Sequence, residues 1–294
     1  MYEKCNPSHP DKIADRIAGA IVDLAYLKNS HYLTLGPALA DIYNNPKIAV
    51  EVLIGHHECY IIVESSITFN YEEIRKIVDR IVKDEVAIEL IQVPQDKHLA
   101  DNQAKGLKCG DNGIFKGVAV SDEENILCEM AKNMYNEFKS DGKYIIDNKK
   151  IVICQSNARK DQIKDIVSQY VTKNDELIIN PLGEWTGGID VDTGATNRKL
   201  GSDMGRGVTG GGLHGKDLSK ADVSINIYLH VLAQDRKSTL TASCAIGDKR
   251  VTIKQKNRGE IIEIVPYDEI VKVARSYIQV VGGFEKLAEW GLIR

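Results

Sequence analysis

The sequence predicts an α+β fold made of three structurally related units in a pseudo-threefold arrangement. Three observations predict it. The order strand, strand, helix, strand occurs at 48–91 and again at 144–180. A looser third set of strands, followed by a helix, occupies 239–277. Each unit has one apolar sheet face and one apolar helix stripe, and both need a partner to bury them.

The first helix opens at Ser8-His9-Pro10-Asp11, where Ser8 suits the N-cap, Pro10 the first turn and Asp11 the third helical position. Ile13, Ile17 and Ile21 recur every four residues, with Ala14, Ala18 and Ala25 beside them. Residues 48–54 and 59–64 read as strands joined by Gly55-His56-His57-Glu58. The two histidines read as a solvated turn, because no further ligand lies at a useful spacing. A helix capped by Asn70 places Ile74, Ile77, Val78, Ile81 and Val82 on one face, and 86–91 closes the unit. In the second unit, 144–147 and 150–155 form a hairpin about Asn148. A helix with Ile163, Ile166, Val167, Tyr170 and Val171 on one face follows, then a strand at 176–180. The third unit has strands at 239–246, 250–254 and 260–265, then a helix bearing Ile270, Val273, Ala274 and Tyr277. Helices at 123–138 and near 219–232 lie between the units. The units divide at about 1–106, 107–187 and 188–294, with some interleaving.

A chain of 294 residues with 43% hydrophobic and 27% charged residues can bury a sizeable core. Its net charge of -4 argues against a general nucleic-acid binder. No apolar run approaches the ~18 residues of a membrane span, and the N-terminus lacks the apolar core of a signal peptide. Cys5, Cys59, Cys109, Cys128, Cys154 and Cys244 form no CxxC pair, so they are read as reduced thiols of a cytoplasmic protein.

Two stretches fit neither period. Residues 92–117 are polar and loop-like, and a mobile lid is the functional expectation. Residues 182–217 hold 11 of the 24 glycines. Over 198–220, Arg198, Lys199, Arg206, Lys216 and Lys220 face only Asp203 and Asp217. Glycines let backbone N–H groups approach an anion while basic side chains neutralise it, so this stretch reads as a polyphosphate site rather than a linker. Gly205 to Gly210 matches GxGxxG without the strand and helix a dinucleotide fold needs. Gly210 to Lys216 matches GxxxxGK, but Asp217 stands where a P-loop carries Ser or Thr.

Taken together, these segments resemble the S-adenosylmethionine synthetases (methionine adenosyltransferases). The resemblance lies in His9-Pro10-Asp11-Lys12-Ile13-Ala14-Asp15, in Gly110-Asp111-Asn112-Gly113, in the run from Asn180 to Asp222 and in Cys244-Ala245-Ile246-Gly247. It is collinear over most of the chain and most specific at 180–222, where Asn197-Arg198-Lys199 stands at the family's Gly-Arg-Lys. The chain is shorter than is usual for the family, Ser8 replaces an expected glycine, and the family's first strand is expected to be missing.

The resemblance implies an enzyme in which methionine sulfur attacks C5′ of ATP, triphosphate leaves, and triphosphate is then hydrolysed to pyrophosphate and phosphate. It implies that His9 stabilises the leaving oxygen and that Arg198, Lys199, Lys216, Lys220 and Lys143 grip the triphosphate. Asp11 and Asp222 would hold two magnesium ions, and Glu51 a potassium ion. Trp185 would stack on adenine, Asp111 and Asp192 would contact adenosine and methionine, and Glu64 and Gln95 would contact methionine. The site would lie between the subunits of a homodimer, with a tetramer as the larger assembly. The alternatives are a non-catalytic paralogue or regulatory subunit, and a triphosphatase or adenosyltransferase using another sulfur nucleophile.

Overall fold

The computed structural model describes residues 1–29, 45–98, 101, 106–256 and 259–294. Its strands are β1 (Tyr2–Cys5), β2 (Ile48–Gly55), β3 (Glu58–Ser65), β4 (Ala87–Pro94), β5 (Gly113–Gly117), β6 (Gly142–Asp147), β7 (Lys150–Gln155), β8 (Glu176–Ile179), β9 (Gly194–Ala195), β10 (Leu240–Cys244), β11 (Arg250–Gln255) and β12 (Ile261–Pro266). Its helices are α1 (Pro10–Lys28), α2 (Tyr71–Val82), α3 (Asp122–Phe138), α4 (Lys160–Val167), α5 (Leu200–Met204), α6 (Ala221–Arg236), α7 (Tyr267–Val281) and α8 (Phe284–Trp290).

The strands form three four-stranded sheets, ordered β4-β3-β2-β9, β1-β6-β7-β8 and β12-β11-β10-β5. The first two share one plan. A tight hairpin (β2–β3, β6–β7) is followed by a helix that crosses over to a parallel third strand (β4, β8). The third sheet is wholly antiparallel, and its helix α7 comes after β12. Each sheet takes its fourth strand from elsewhere in the chain: β9 pairs with β2, β1 with β6 and β5 with β10. The units are therefore interlocked three ways, as α+β units with unsatisfied edges require.

Local chemistry explains the boundaries. Asn70 and Glu73 make a reciprocal capping box on α2, and Ser121 and Glu124 do the same on α3. His56 and His57 form the β2–β3 turn with positive φ, and Asn148 does so between β6 and β7. One apolar core joins α1, α2, α6 and α7 to the first and third sheets, and a second lies between the β1-β6-β7-β8 sheet and helices α3 and α4. Among the described residues, no helix is long and apolar enough to cross a membrane.

Four expectations are corrected. The first strand is present as β1, in register with β6 from Tyr2↔Ile146 to Cys5↔Lys143. Its alternation is masked because Lys4 points inward, fully buried, and donates to the carbonyls of Ser202, Trp290 and Ile293. The N-cap of α1 is His9, whose Nδ1 accepts from Asp11 N–H at 3.2 Å, and not Ser8, whose hydroxyl instead donates to Lys139 O. Cys109 and Cys244 form a disulfide, so not all six thiols are reduced. Their separation of 135 residues hid this, since the β5–β10 pairing and the backbone bonds of Cys109 to Gly247 and Asp248 bring them together. Finally, 92–117 is not all loop: β4 runs to Pro94 and β5 begins at Gly113. The rest of the expected lid includes 99–100 and 102–105, which lie outside the described residues.

Candidate active site

The edge of β2 organises the site. Toward its C-terminal end it pairs with β9, and Thr196 N–H donates to Val52 O at 3.0 Å. Toward its start, Val50 N–H donates to Gly215 O at 2.7 Å and Ala49 bridges to Lys216. The N-terminus of α1 comes down on β9 so closely that a Cβ at Gly194 would lie 2.1 Å from the Pro10 carbonyl. Glycine at 194 is thus a steric requirement of the site.

This packing gathers His9, Asp11, Arg198 and Lys199. Asp11 is 2% exposed; its Oδ1 accepts from Ala195 N–H at 2.8 Å and its Oδ2 from Lys199 Nζ at 2.5 Å. Arg198 lies 3.6 Å from Oδ1 and remains half-exposed. Burial alone would raise the Asp11 carboxyl, but the hydrogen bonds from Lys199 and Ala195 overcome it and hold the group below its ordinary range. Burial, reinforced by the Lys199 ammonium, pushes His9 down to about 4, so the imidazole is neutral at pH 7. Since Nδ1 accepts a hydrogen bond from the backbone, its proton resides on Nε2.

A second pair lies across the glycine-rich turn. Lys216 Nζ is 2.6 Å from Asp222 Oδ2, and Lys220 is the N-cap of α6, whose first turn carries Asp222. Gly211, at φ +91°, covers this carboxylate; a Cβ there would lie 2.3 Å from Asp222 Oδ1.

The remaining candidates are placed as follows. Lys143 on β6 is paired with Glu3 at 2.9 Å. Burial would lower its ammonium, and the Glu3 hydrogen bond more than offsets this, so it is raised. Asp192 is exposed, with its carboxylate capping Thr193 N–H. Trp185 donates to Asn180 Oδ1 at 3.3 Å and lies between two surface pockets, one lined by Asn157, Arg159 and Glu184 and the other by Cys154, Pro181 and Leu182. Glu64 accepts from Gln95 Nε2 at 3.0 Å. Glu51 accepts from the Thr196 hydroxyl. Asp111 stands apart from the α1–β9 cluster, exposed beside Cys109, with its carboxylate capping Asn112 N–H.

Sequence reasoning missed two features. Asp141 is buried beside Trp185, where a Cβ at Gly187 would touch both. Burial, reinforced by Asp192, pushes its carboxyl up to about 7. The other is a sealed ionic cluster beneath the site. Lys12 Nζ is 2.5 Å from Asp203 Oδ1 and 3.8 Å from Asp15 Oδ2, and His214 Nε2 is 2.8 Å from Asp203 Oδ2. Asp15, Asp203 and His214 also form the His/carboxylate group, among the described residues, close enough to hold a metal, but Lys12 already sits in it as the cation. No periodicity marks such residues, because α1 is buried nearly all round at this end.

No protein-family model matches the chain. S-adenosylmethionine synthase 2 of Rhodospirillum rubrum is 22% identical, over 89% of this chain and 81% of that protein. The S-adenosylmethionine synthase of Bradyrhizobium sp. (strain ORS 278) is 26% identical over 92% and 84%, and that of Pelagibacter ubique is 27% identical over 83% and 75%. An S-adenosylmethionine synthetase of Campylobacter jejuni, described as unusual, shares the fold with a TM-score of 0.73 at 19% identity, over 99% of this chain and 94% of that one. The chain thus has the fold of an S-adenosylmethionine synthetase and is similar in sequence to S-adenosylmethionine synthases along most of its length.

Proposed function

We propose that the protein is a methionine adenosyltransferase that forms S-adenosylmethionine from ATP and L-methionine and then hydrolyses the triphosphate to pyrophosphate and phosphate. The observation that carries this reading is the pair of lysine–carboxylate contacts, Lys199–Asp11 and Lys216–Asp222, held on one strand edge beside a neutral histidine. Each contact separates into the two things a metal–triphosphate needs: a cation for phosphate oxygen and a carboxylate for a hard metal ion.

In the reaction, a sulfur lone pair forms the S–C5′ bond while the C5′–O bond breaks and its electrons leave on the triphosphate. The leaving group carries roughly four negative charges, so preplaced cations lower the barrier most. Arg198, Lys199, Lys216 and Lys220 supply them. Lys143 lies farther out on β6 and would join them by turning from Glu3. His9 presents its Nε2 proton to the leaving oxygen, while Nδ1 keeps the ring fixed on α1. Trp185 would stack on adenine beside Asp141; Asp192 and Asp111 would contact adenosine and methionine.

Asp11 and Asp222 offer carboxylate oxygens that already hold ammonium groups, a donor set that fits magnesium. Two magnesium ions bound there would neutralise charge developing on the triphosphate. Glu51 and Thr196 offer a carboxylate and a hydroxyl to a potassium ion, whose other oxygens would come from a second copy. The outward face of the first sheet supports a homodimer. Leu53, Tyr60, Ile62, Ile91 and Val93 all lie there more than two-fifths exposed, in register around Glu51 and Glu64. A second copy on that face would bring the Glu64–Gln95 pair, the proposed methionine contact, into an interfacial site. The protein is read as cytoplasmic.

The test is a chromatographic assay with ATP, L-methionine, magnesium and potassium, following S-adenosylmethionine and phosphate together. Matched, methionine-dependent release of both is the expected result. Phosphate without the sulfonium product would discard methionine as acceptor, and no turnover would discard the enzyme reading.

A further inference from the structure

The runs that carry Arg198–Lys199 and Lys216 reach the same edge of β2 two residues apart, at Val52 and Val50. Neither contact is long enough to fix one run against the other: β9 has two residues and the Ala49–Lys216 pairing is a single bridge. What joins the runs is Asn197. Its side-chain oxygen accepts from His214 N–H at 2.8 Å, and its side-chain amide donates to His214 O at 3.3 Å. Its own N–H donates to Asp15 Oδ1 at 2.8 Å. The His214 ring is held by Asp203, and Asp203 by Lys12, all of them sealed from water. Asn197 stands at φ +61°, a left-handed position that asparagine tolerates better than other side-chain-bearing residues.

We propose that Asn197 is a positioning residue: its amide clamps His214 and so holds Arg198, Lys199 and Lys216 in one register around a triphosphate, anchored on the buried Lys12–Asp15–Asp203–His214 cluster. The inference rests on the triphosphate reading above. Neither Asn197 nor His214 need touch the ligand. Each fixes the backbone from which a gripping side chain springs, and a shift of about 1 Å in such a group is enough to cost ~100-fold in rate.

The test is calorimetric titration, with magnesium, of tripolyphosphate in its imido form, whose P–N–P bridges resist the hydrolysis proposed above, alongside thermal unfolding of the same samples. Asn197→Gly accepts the left-handed backbone and deletes the amide. It should bind tripolyphosphate about tenfold more weakly, the loss of roughly one net hydrogen bond's worth of preorganisation, with Tm within a few degrees of the parent. Asn197→Asp keeps the acceptor for His214 N–H but turns a second carboxylate oxygen, and a negative charge, toward the His214 carbonyl, and should bind no more tightly than Asn197→Gly. The double variant with Lys216→Ala should lose less than the product of the two single losses, because part of what the clamp positions is that lysine. Unchanged binding by Asn197→Gly, or losses that multiply in the double variant, would overturn the clamp. A parent protein that ignores tripolyphosphate would remove the triphosphate reading itself, and the clamp with it.

Discussion

Lys216 and Asp222 meet at 2.6 Å, and Lys12 and Asp203 at 2.5 Å. By geometry the two pairs are alike, and each has one member in the glycine-rich segment, Lys216 and Asp203. They differ in water. The side chains of Lys216 and Asp222 are 20% and 14% exposed, whereas those of Lys12 and Asp203 are at 0%. An ion pair that water can reach is easily exchanged for other partners of the same charge, so it suits a site that opens for a metal–anion ligand. A sealed pair has no such exchange, because separating it strands a charge in low dielectric. Neighbouring segments of one chain thus use the same chemistry once as a socket and once as a rivet.

The largest expected effect lies on the exchangeable side. Asp222→Asn keeps the shape of the side chain and removes its charge. In the assay above, kcat should fall by about 100- to 1,000-fold, the scale of losing one preorganised electrostatic partner. Near-normal turnover at saturating magnesium would remove Asp222 from the metal site.

Lys12→Met leaves Asp203 buried against fewer cations and should cost about 3–5 kcal/mol of unfolding free energy. Lys216→Met leaves Asp222 where water can reach it and should cost about 1 kcal/mol or less. Denaturant titration of both variants measures this. Equal losses would mean that water does not distinguish the two clusters.

Much of this difference could not be read in the sequence. The hairpins, the helix capped by Asn70 and the strand at 176–179 were legible because burial on one face imposes a period. The glycine-rich basic run was legible because its composition departs from the rest of the chain. The sealed cluster was not, because Lys12, Asp15 and Asp203 are charged residues in positions where patterns expect apolar ones. Only their mutual compensation makes burial tolerable, and that is a long-range property. The same holds for β1, where Lys4 is satisfied by carbonyls nearly 200 residues and more away, and for Cys109 and Cys244. At the start of α1, Ser8 suits an N-cap by residue type, while His9 occupies it in space.

Asp141 is buried like the rivet, yet its charged neighbours are Asp192, Lys199 and Asp11 of the proposed site. Its carboxyl rises to about 7 from an ordinary value of 3.8, through burial first and the Asp192 carboxylate second. Between those values the folded chain keeps a proton that the unfolded chain has released. Stability from this group is therefore present at low pH and lost as pH rises through about 7. Asp141→Asn removes the titration. Its Tm should match the parent near pH 4 and exceed it by several degrees at pH 8, because a rise from 3.8 to about 7 corresponds to about 4 kcal/mol. Asp192→Asn should instead keep the bend and move it to lower pH, because burial remains and only the neighbouring charge is gone. Parallel Tm–pH curves for the parent and Asp141→Asn would show that Asp141 is ionised throughout. The carboxylate would then belong with Asp222, a charge held ready on the open side.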